Sequence, residues 1–232
     1  MRWARPLGLL ASVLALLVPS TTAEAALPGY VLTTRAGSVI RWNPCGVIHY
    51  RVDLWHAPAG ALADVRTAMA RLHAATGMVF SYAGSTKAIP QRSFASTAQP
   101  GHWPALTIAW AWPGTGRGAS NLLTPGDAGV GGFVSDMWFD AKGRVDPLQV
   151  VSGFVVLNVQ HSRAYRAGFG SGTTRGEVLL HELGHAVGLQ HVDDPAQIMF
   201  PAAVARASAA YGKGDLAGLR RVGRAAGCIR PR

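Results

Sequence analysis

Apolar residues recur at helical spacing in the first third of the chain. Between Pro58 and Gly77 they follow one another at intervals of three or four positions: Leu62, Val65, Met69 and Leu72. This spacing predicts a helix with one apolar face, opened by Pro58 and closed by Gly77.

Other segments are short and either alternating or continuously apolar, as β-strands are. Strands are predicted at 47–53, 78–82, 105–112, 131–139 and 153–160. The segment 153–160 is apolar on both faces, which favours a central position in the sheet. Polar or glycine-rich loops are predicted at 83–102 and 114–132. A strand–helix–strand opening would bury the helix on the sheet, so the pattern predicts an α+β domain.

Two further helices carry start signals. Thr174 and Glu177 form the pattern of a capping box, which predicts a helix over 175–187. Asp215 is predicted to be the N-cap of a last helix that runs to Cys228, with three apolar residues turned inward: Leu216, Leu219 and Val222.

The helix at 175–187 leads into the segment HELGHAVGLQH. His181 and His185 are four residues apart and project from one helix face, where two neutral imidazoles can bind Zn²⁺. Gly188 can adopt positive φ and return the chain so that His191 becomes a third ligand. Glu182 is placed to act on a water at the open fourth position. The alternative is a buried helix whose histidines are hydrogen-bonded within the core.

HELGHAVGLQH matches HExxHxxGxxH, so the chain resembles the metzincin metallopeptidases. The segment Gln197–Pro201 is similar to the matrixin methionine turn, with Met199 supporting the metal site, and Arg41–Cys45 resembles the start of small secreted bacterial matrixin-like peptidases. The resemblance covers most of 40–228, but only 181–201 is highly specific. It implies a metzincin-type zincin domain: a twisted mixed sheet, a backing helix, an active-site helix and a C-terminal helix. In that fold, the strand at 131–139 would be the cleft edge that pairs with substrate.

The resemblance further implies a secreted zinc endopeptidase that hydrolyses peptide bonds. One Zn²⁺ would activate a water, with Glu182 as general base and later as acid. Phe200 departs from metzincins that carry a tyrosine after the methionine, because phenylalanine donates no hydrogen bond. Two alternatives stay open: a catalytically weak metzincin-like binding protein, and a zinc amidase that acts on cell-wall peptides.

A calcium site is a further alternative. Four aspartates lie in the stretch that carries calcium and a second zinc in matrixins: Asp127, Asp136, Asp140 and Asp146. Their spacing matches no recognisable calcium loop. Calcium binding therefore remains an open expectation.

The first residues have the pattern of a targeting segment. Arg2 and Arg5 precede an apolar run, and Ala23–Ala25 is a small-x-small cleavage site, so residues 1–25 are predicted to be a signal peptide. An uncleaved anchor is the alternative. Residues 26–40 would be a short lead-in and residues 41–232 the catalytic domain, with no membrane span and an extracellular location.

Composition fits one globular domain. The 232-residue chain is 49% hydrophobic and only 15% charged, with a formal net charge of +10. This charge indicates either attraction to an anionic cell surface or merely a solvated face. No nucleic-acid motif is present, so the expected partner is a protein or peptide substrate, and the expected state is a monomer.

Cys45 and Cys228 are the only cysteines. A single pair in an oxidising compartment predicts one disulfide. The alternative is that Cys45 acts as a latency cysteine, because Asn43–Gly46 resembles the zinc-binding segment of matrixin pro-regions. That role would leave Cys228 unpaired.

Overall fold

The computed structural model describes residues 29–93, 105–136 and 149–229. Ten strands lie in this part of the chain: β1 Val31–Leu32, β2 Thr34–Arg35, β3 Ser38–Val39, β4 Val47–Val52, β5 Val79–Ser85, β6 Leu106–Pro113, β7 Ala119–Ser120, β8 Gly129–Asp136, β9 Gln149–Asn158 and β10 Leu189–Gln190. Four α-helices accompany them: α1 Ala61–Thr76, α2 Val159–Ala164, α3 Arg175–Ala186 and α4 Lys213–Val222.

The main sheet is mixed, with the strand order β5-β4-β6-β9-β8. β4 runs parallel to β5 and β6, and β6 runs parallel to β9, whereas β8 runs antiparallel to β9. The predicted central position of the strand near 153–160 is confirmed, because β9 lies between β6 and β8. The predicted α+β class with a mixed sheet is also confirmed.

The core lies between the sheet and the helices α1, α3 and α4. α1 contributes its predicted apolar face, and α3 contributes Leu179, Leu180 and Leu183, all fully buried. Trp42 joins the start of the chain to the end of α3, since its indole Nε1 donates to Ala186 O over 2.8 Å. These contacts fix the position of α3, the helix that carries the polar residues His181, Glu182 and His185.

Several predicted boundaries were wrong. α1 begins at Ala61 rather than Pro58, after Gly60 in a left-handed conformation. β9 begins at Gln149 and ends at Asn158, because the Asn158 side chain accepts from Gln160 N and starts α2. α4 ends at Val222 and a short 3₁₀ turn follows, so the last helix does not reach Cys228.

β8 confirms a strand in the predicted edge region but begins at Gly129, two residues earlier than expected. The last three residues of the predicted strand, 137–139, lie outside the described residues, as do residues 94–102 of the predicted loop at 83–102. β5 continues through 83–85, so that part of the predicted loop is strand.

The two ends of the described chain meet. Cys45 and Cys228 form a disulfide across 183 positions of sequence, as predicted, so Cys45 is not free to act as a latency cysteine in this structure. Asn43 lies beside the disulfide, and its side chain exchanges hydrogen bonds with the backbone of Ile229. In the part of the chain that is described, no helix has the length and apolar character needed to cross a membrane.

Candidate metal and catalytic site

α3 and the turn that follows it bring three histidines together. Thr174 caps the helix as predicted, with its hydroxyl accepting from Glu177 N. Gly188 has φ of +110° and turns the chain into β10. His191 then returns to the helix, and the Nε2 atoms of His181, His185 and His191 lie 3.1 Å from one another.

The other ring nitrogens are fixed by backbone carbonyls. His181 Nδ1 lies 2.7 Å from Ile198 O, and His185 Nδ1 lies 2.9 Å from Leu189 O. A carbonyl accepts only, so each Nδ1 carries the proton and each Nε2 presents a lone pair. Burial lowers the pKa of His181 to about 4 and also lowers the pKa of His185 and His191. The imidazoles are therefore neutral near neutral pH.

This donor set fits zinc. Tetrahedral nitrogen ligands at roughly 2.0–2.1 Å from Zn²⁺ stand about 3.4 Å apart, close to the separation of the three Nε2 atoms. Lone pairs that face one another cannot hydrogen-bond, so a cation is the natural occupant of the space between them. Among the described residues, these histidines are the only group of three or more His, Cys, Asp or Glu placed to hold a metal.

Glu182 lies in the same cleft as the histidines. Only 6% of its surface is exposed. Burial raises the pKa of Glu182 to about 8, while a hydrogen bond with the Gly131 backbone lowers it and the charge of Asp127 raises it further. The cleft thus holds a carboxyl group whose proton affinity is matched to neutral pH.

β8 approaches α3 closely because two of its glycines face the helix. A Cβ on Gly131 would lie 2.0 Å from Glu182 O, and one on Gly129 would lie 2.8 Å from Glu182 Cγ. These two positions were missed by sequence reasoning, although glycines two residues apart share one face of a strand. One edge of β8 pairs with β9. The other edge pairs with no described strand and borders the cleft.

Met199 lies beneath α3. It is fully buried, and a Cβ on Gly184 would lie 2.4 Å from Met199 Sδ, so the sulfur packs between the helical turns that carry His181 and His185. Met199 O also accepts from Val192 N over 3.1 Å, which ties this segment to the residue after His191. Met199 therefore contacts the helix that carries His181 and His185, and its backbone is bonded to the residue that follows His191.

Asp215 anchors the segment that orients His181. It is the third residue of α4 rather than its N-cap, because the helix begins at Lys213. Its carboxylate accepts from Ile198 N over 2.6 Å, from Met199 N over 3.3 Å and from Gly212 N over 2.9 Å. Ile198 O in turn faces His181, so the buried aspartate acts on the cluster through one peptide group.

Glu177 also differs from its predicted role. The capping box predicts that its side chain reaches back to the helix start, but Oε1 instead accepts from Arg206 Nε over 2.7 Å and from Val204 N over 3.2 Å. The local sequence pattern does not indicate this ion pair, because Glu177 and Arg206 are 29 positions apart.

Of the four aspartates in the predicted calcium stretch, Asp127 is the one whose side chain is described. Asp127 Oδ2 accepts from Thr124 N over 2.7 Å within a turn. The side chain of Asp136 and the whole of Asp140 and Asp146 lie outside the described part of the chain. The calcium expectation thus stays a prediction.

The mixed sheet, the histidine-bearing helix against its edge strand and the methionine segment beneath that helix are similar to a zincin domain of metzincin type. Within this class, residues 127–222 match the family model described as Matrixin, from the turn before β8 to the end of α4. The resemblance to a matrixin-like metzincin is thereby confirmed, although the match spans less than half of the chain. No curated protein matches the chain in sequence. Matrixins are zinc-dependent metallopeptidases, and the histidine cluster lies inside the matched region.

Proposed function

We propose that this protein is a secreted zinc endopeptidase, with residues 41–232 as its catalytic domain. One observation carries the proposal: three histidine Nε2 atoms converge in a cleft of about 640 Å³ that also contains a buried carboxyl group. His181, His185 and His191 would hold the ion. Bound there, zinc would supply Lewis-acid polarisation of the scissile carbonyl and acidify a water.

The remaining steps belong to the chain's own residues. The free edge of β8 would bind an extended peptide as an added strand and orient its scissile bond. Glu182 would accept the proton of the attacking water and deliver it to the leaving nitrogen. Phe200 offers no donor, so backbone groups of the cleft would assist instead. Met199 and Asp215 would hold the ligands in position without touching the substrate.

Export is supported by two features. Residues 1–25 have the pattern of a signal peptide, and residues 26–40 would follow as a lead-in. The Cys45–Cys228 disulfide fits an oxidising compartment.

The decisive experiment compares the purified protein with Glu182→Ala. The wild type should bind about one zinc per chain and cleave a general protein substrate. Glu182→Ala should keep the zinc and lose activity by about 10²-fold or more. His161→Ala, which changes a histidine outside the cluster, is the matched control for His185→Ala, which should lose both zinc and activity.

Three results would contradict the proposal. Cleavage at the wild-type rate by Glu182→Ala would remove the carboxylate from the mechanism. Zinc binding without cleavage of any protein substrate would favour the metzincin-like binding protein, and cleavage of cell-wall peptides alone would favour the amidase.

A further inference from the structure

Two exposed tryptophans lie at the end of the main sheet where its parallel strands finish. Trp55 follows β4 and Trp112 is the next-to-last residue of β6, and 53% and 39% of their surfaces are exposed. Leu54, beside Trp55, is exposed as well. Among the described residues, these are three of the six large apolar side chains that are exposed. Their position at one end of the sheet indicates a contact surface.

Each of the two tryptophans has an arginine against its ring. The guanidinium carbon of Arg117 lies 5.0 Å from the centre of the Trp55 ring, and that of Arg163, on α2, lies 5.6 Å from the centre of the Trp112 ring. Both arginines are exposed. Neither forms a side-chain hydrogen bond or an ion pair with a described residue. A contact with a ring leaves the N–H donors of a guanidinium unused, so both arginines can donate to an anionic partner.

The loops that carry the tryptophans are held in contact with one another. Asp53 Oδ1 accepts from Trp55 N over 2.7 Å, and Trp112 N donates to Gly118 O over 3.1 Å. A Cβ on Gly118 would lie 2.4 Å from His56 Nε2, so the loop after β6 packs against the residue that follows Trp55. The exposed side chains therefore form one preformed surface, here called the tryptophan–arginine surface: Leu54, Trp55, Trp112, Arg117 and Arg163.

The acidic residues of the described chain are mostly withdrawn from solvent. Five of them are buried: Asp53, Asp64, Glu177, Glu182 and Asp215. Asp193 and Asp194 are exposed, but they lie in the loop that follows the histidine cluster. Basic side chains therefore predominate at the described surface, in a chain whose formal net charge is already +10. This balance favours an anionic partner.

We propose that the tryptophan–arginine surface binds anionic phospholipid membranes. Tryptophan prefers the boundary between lipid headgroups and hydrocarbon, where Leu54 would add buried apolar area. Arg117 and Arg163 would donate to lipid phosphate groups and add electrostatic attraction to an anionic bilayer. This binding requires neither zinc nor cleavage, so it does not depend on the proposed peptidase function.

An acidic sugar polymer fits this surface less well. Sugar hydroxyls need side chains that both donate and accept, placed around the ring that they contact. The tryptophan–arginine surface offers donors only, since arginine and tryptophan have no side-chain acceptor. Asp53 is close to Trp55 in sequence, but its carboxylate is buried and bonded to the backbone.

Vesicle flotation tests the proposal. The purified protein is mixed with vesicles of phosphatidylcholine alone, or of phosphatidylcholine and phosphatidylglycerol in equal parts. The partition coefficient should be about tenfold or more higher for the mixed vesicles, because two arginines face the anionic headgroups. Added salt should lower it, since exposed charges are screened.

Paired charge variants locate the binding surface. Replacing both Arg117 and Arg163 by glutamine should lower the partition coefficient for the mixed vesicles by about tenfold or more. The matched control replaces Arg220 and Arg221, two exposed arginines of α4, by glutamine and changes the net charge equally. The control should bind nearly as well as the wild type, because its arginines lie outside the tryptophan–arginine surface.

Fluorescence quenching tests whether the tryptophans enter the bilayer. Brominated phosphatidylcholine in the mixed vesicles quenches tryptophans that reach the hydrocarbon boundary. Quenching of the wild type should be largely lost when Trp55→Phe and Trp112→Phe are combined, although the two side chains stay apolar. Thermal unfolding checks that each variant is folded.

Four results would overturn the proposal. They are equal partitioning to both vesicle types, an equal loss of binding in the two arginine pairs, unchanged quenching in the tryptophan variant, and binding to the acidic polysaccharide alginate in place of the vesicles. The last result would assign the surface to sugar polymers. The comparison of the two vesicle types uses the wild-type protein, so it stands even if a variant fails to fold.

Discussion

At the scale of a single residue, the buried carboxyl group of Glu182 affects both the proposed catalysis and the stability of the fold. Burial raises its pKa from 4.5 to about 8 in the metal-free protein, so between these values the folded state holds a proton that the unfolded state has lost. The contribution of Glu182 to stability should therefore fall as pH rises through this range and level off above pH 8. Urea unfolding of the chelator-treated protein at several pH values measures this slope.

Below pH 6.5, the ordinary pKa of histidine, the buried histidines change the stability in the opposite direction. His181 keeps a pKa of about 4 when folded, so the unfolded state binds more protons between these values and stability rises with pH. Because the histidines of the unfolded state are almost fully deprotonated about one pH unit above 6.5, the window from about pH 7.5 to 8 isolates Glu182. The slope there should be absent in Glu182→Gln, and an unchanged slope in that variant would show that another group titrates.

Residue spacing was sufficient to predict the histidine cluster, because His181, His185 and His191 lie within eleven positions. Gly188 can adopt the positive φ that turns the chain sharply and returns His191 to the helix. It was insufficient for Glu177. A carboxylate three positions after a threonine predicts a capping box from local geometry alone, whereas the ion pair with Arg206 depends on how a distant loop returns to α3. Side chains whose partners are remote in sequence carry no local signal.

At the scale of elements, the contact between β8 and α3 depends on bare glycines. We expect Gly131→Ala to destabilise the protein by about 1–3 kcal/mol, because its Cβ would meet the Glu182 backbone oxygen at 2.0 Å and the strand must move. Gly126→Ala is the matched control, since its Cβ would meet nothing within 4 Å although the residue lines the same cleft. Urea unfolding measures stability, and equal stability in both variants would contradict the close approach.

The pairing of α4 with the methionine segment gives a second prediction. Asp215→Ala removes the acceptor for Ile198 N and Met199 N, so the carbonyl that orients His181 is less constrained. Zinc affinity should fall by about 10–100-fold, as is typical when the support of a ligand is lost. Competition with a chromogenic chelator measures it.

Asp193→Ala is the control for Asp215→Ala. Asp193 is an exposed aspartate in the loop that also contains Ile198 and Met199. It should leave zinc affinity unchanged. If Asp215→Ala lowers thermal stability but binds zinc as tightly as Asp193→Ala, the aspartate serves α4 alone.

Periodicity located most elements but not all of their ends. The helix at 61–76 and the strand β6 follow their apolar patterns closely. The predicted strand extends to Gln160, past the end of β9 at Asn158, yet Asn158 caps a helix there. Asp215 was predicted to be a helix cap from its local sequence, but the structure also uses it to hold another segment. The ends of such elements depend on single side-chain hydrogen bonds, which the hydrophobic pattern does not predict.

At the scale of the whole molecule, the disulfide closes almost the entire described chain into one loop. Replacing both Cys45 and Cys228 by serine should lower the free energy of unfolding by about 2–5 kcal/mol, since the unfolded chain gains freedom. Thermal unfolding of the double variant against the wild type, each with and without reductant, measures the loss. Reductant should destabilise the wild type alone, and an equal melting temperature for both proteins would show that hydrogen bonds such as those of Asn43 suffice.

The histidine cluster makes the stability of the fold depend on the metal ions around it. In the metal-free state the Nε2 acceptors of His181 and His185 lie 3.1 Å apart, so an ion that binds there removes a repulsion within the folded chain. Each tenfold rise in free metal above the dissociation constant then adds about 1.4 kcal/mol to the free energy of unfolding. The stability of the folded protein would then follow the local concentration of free zinc.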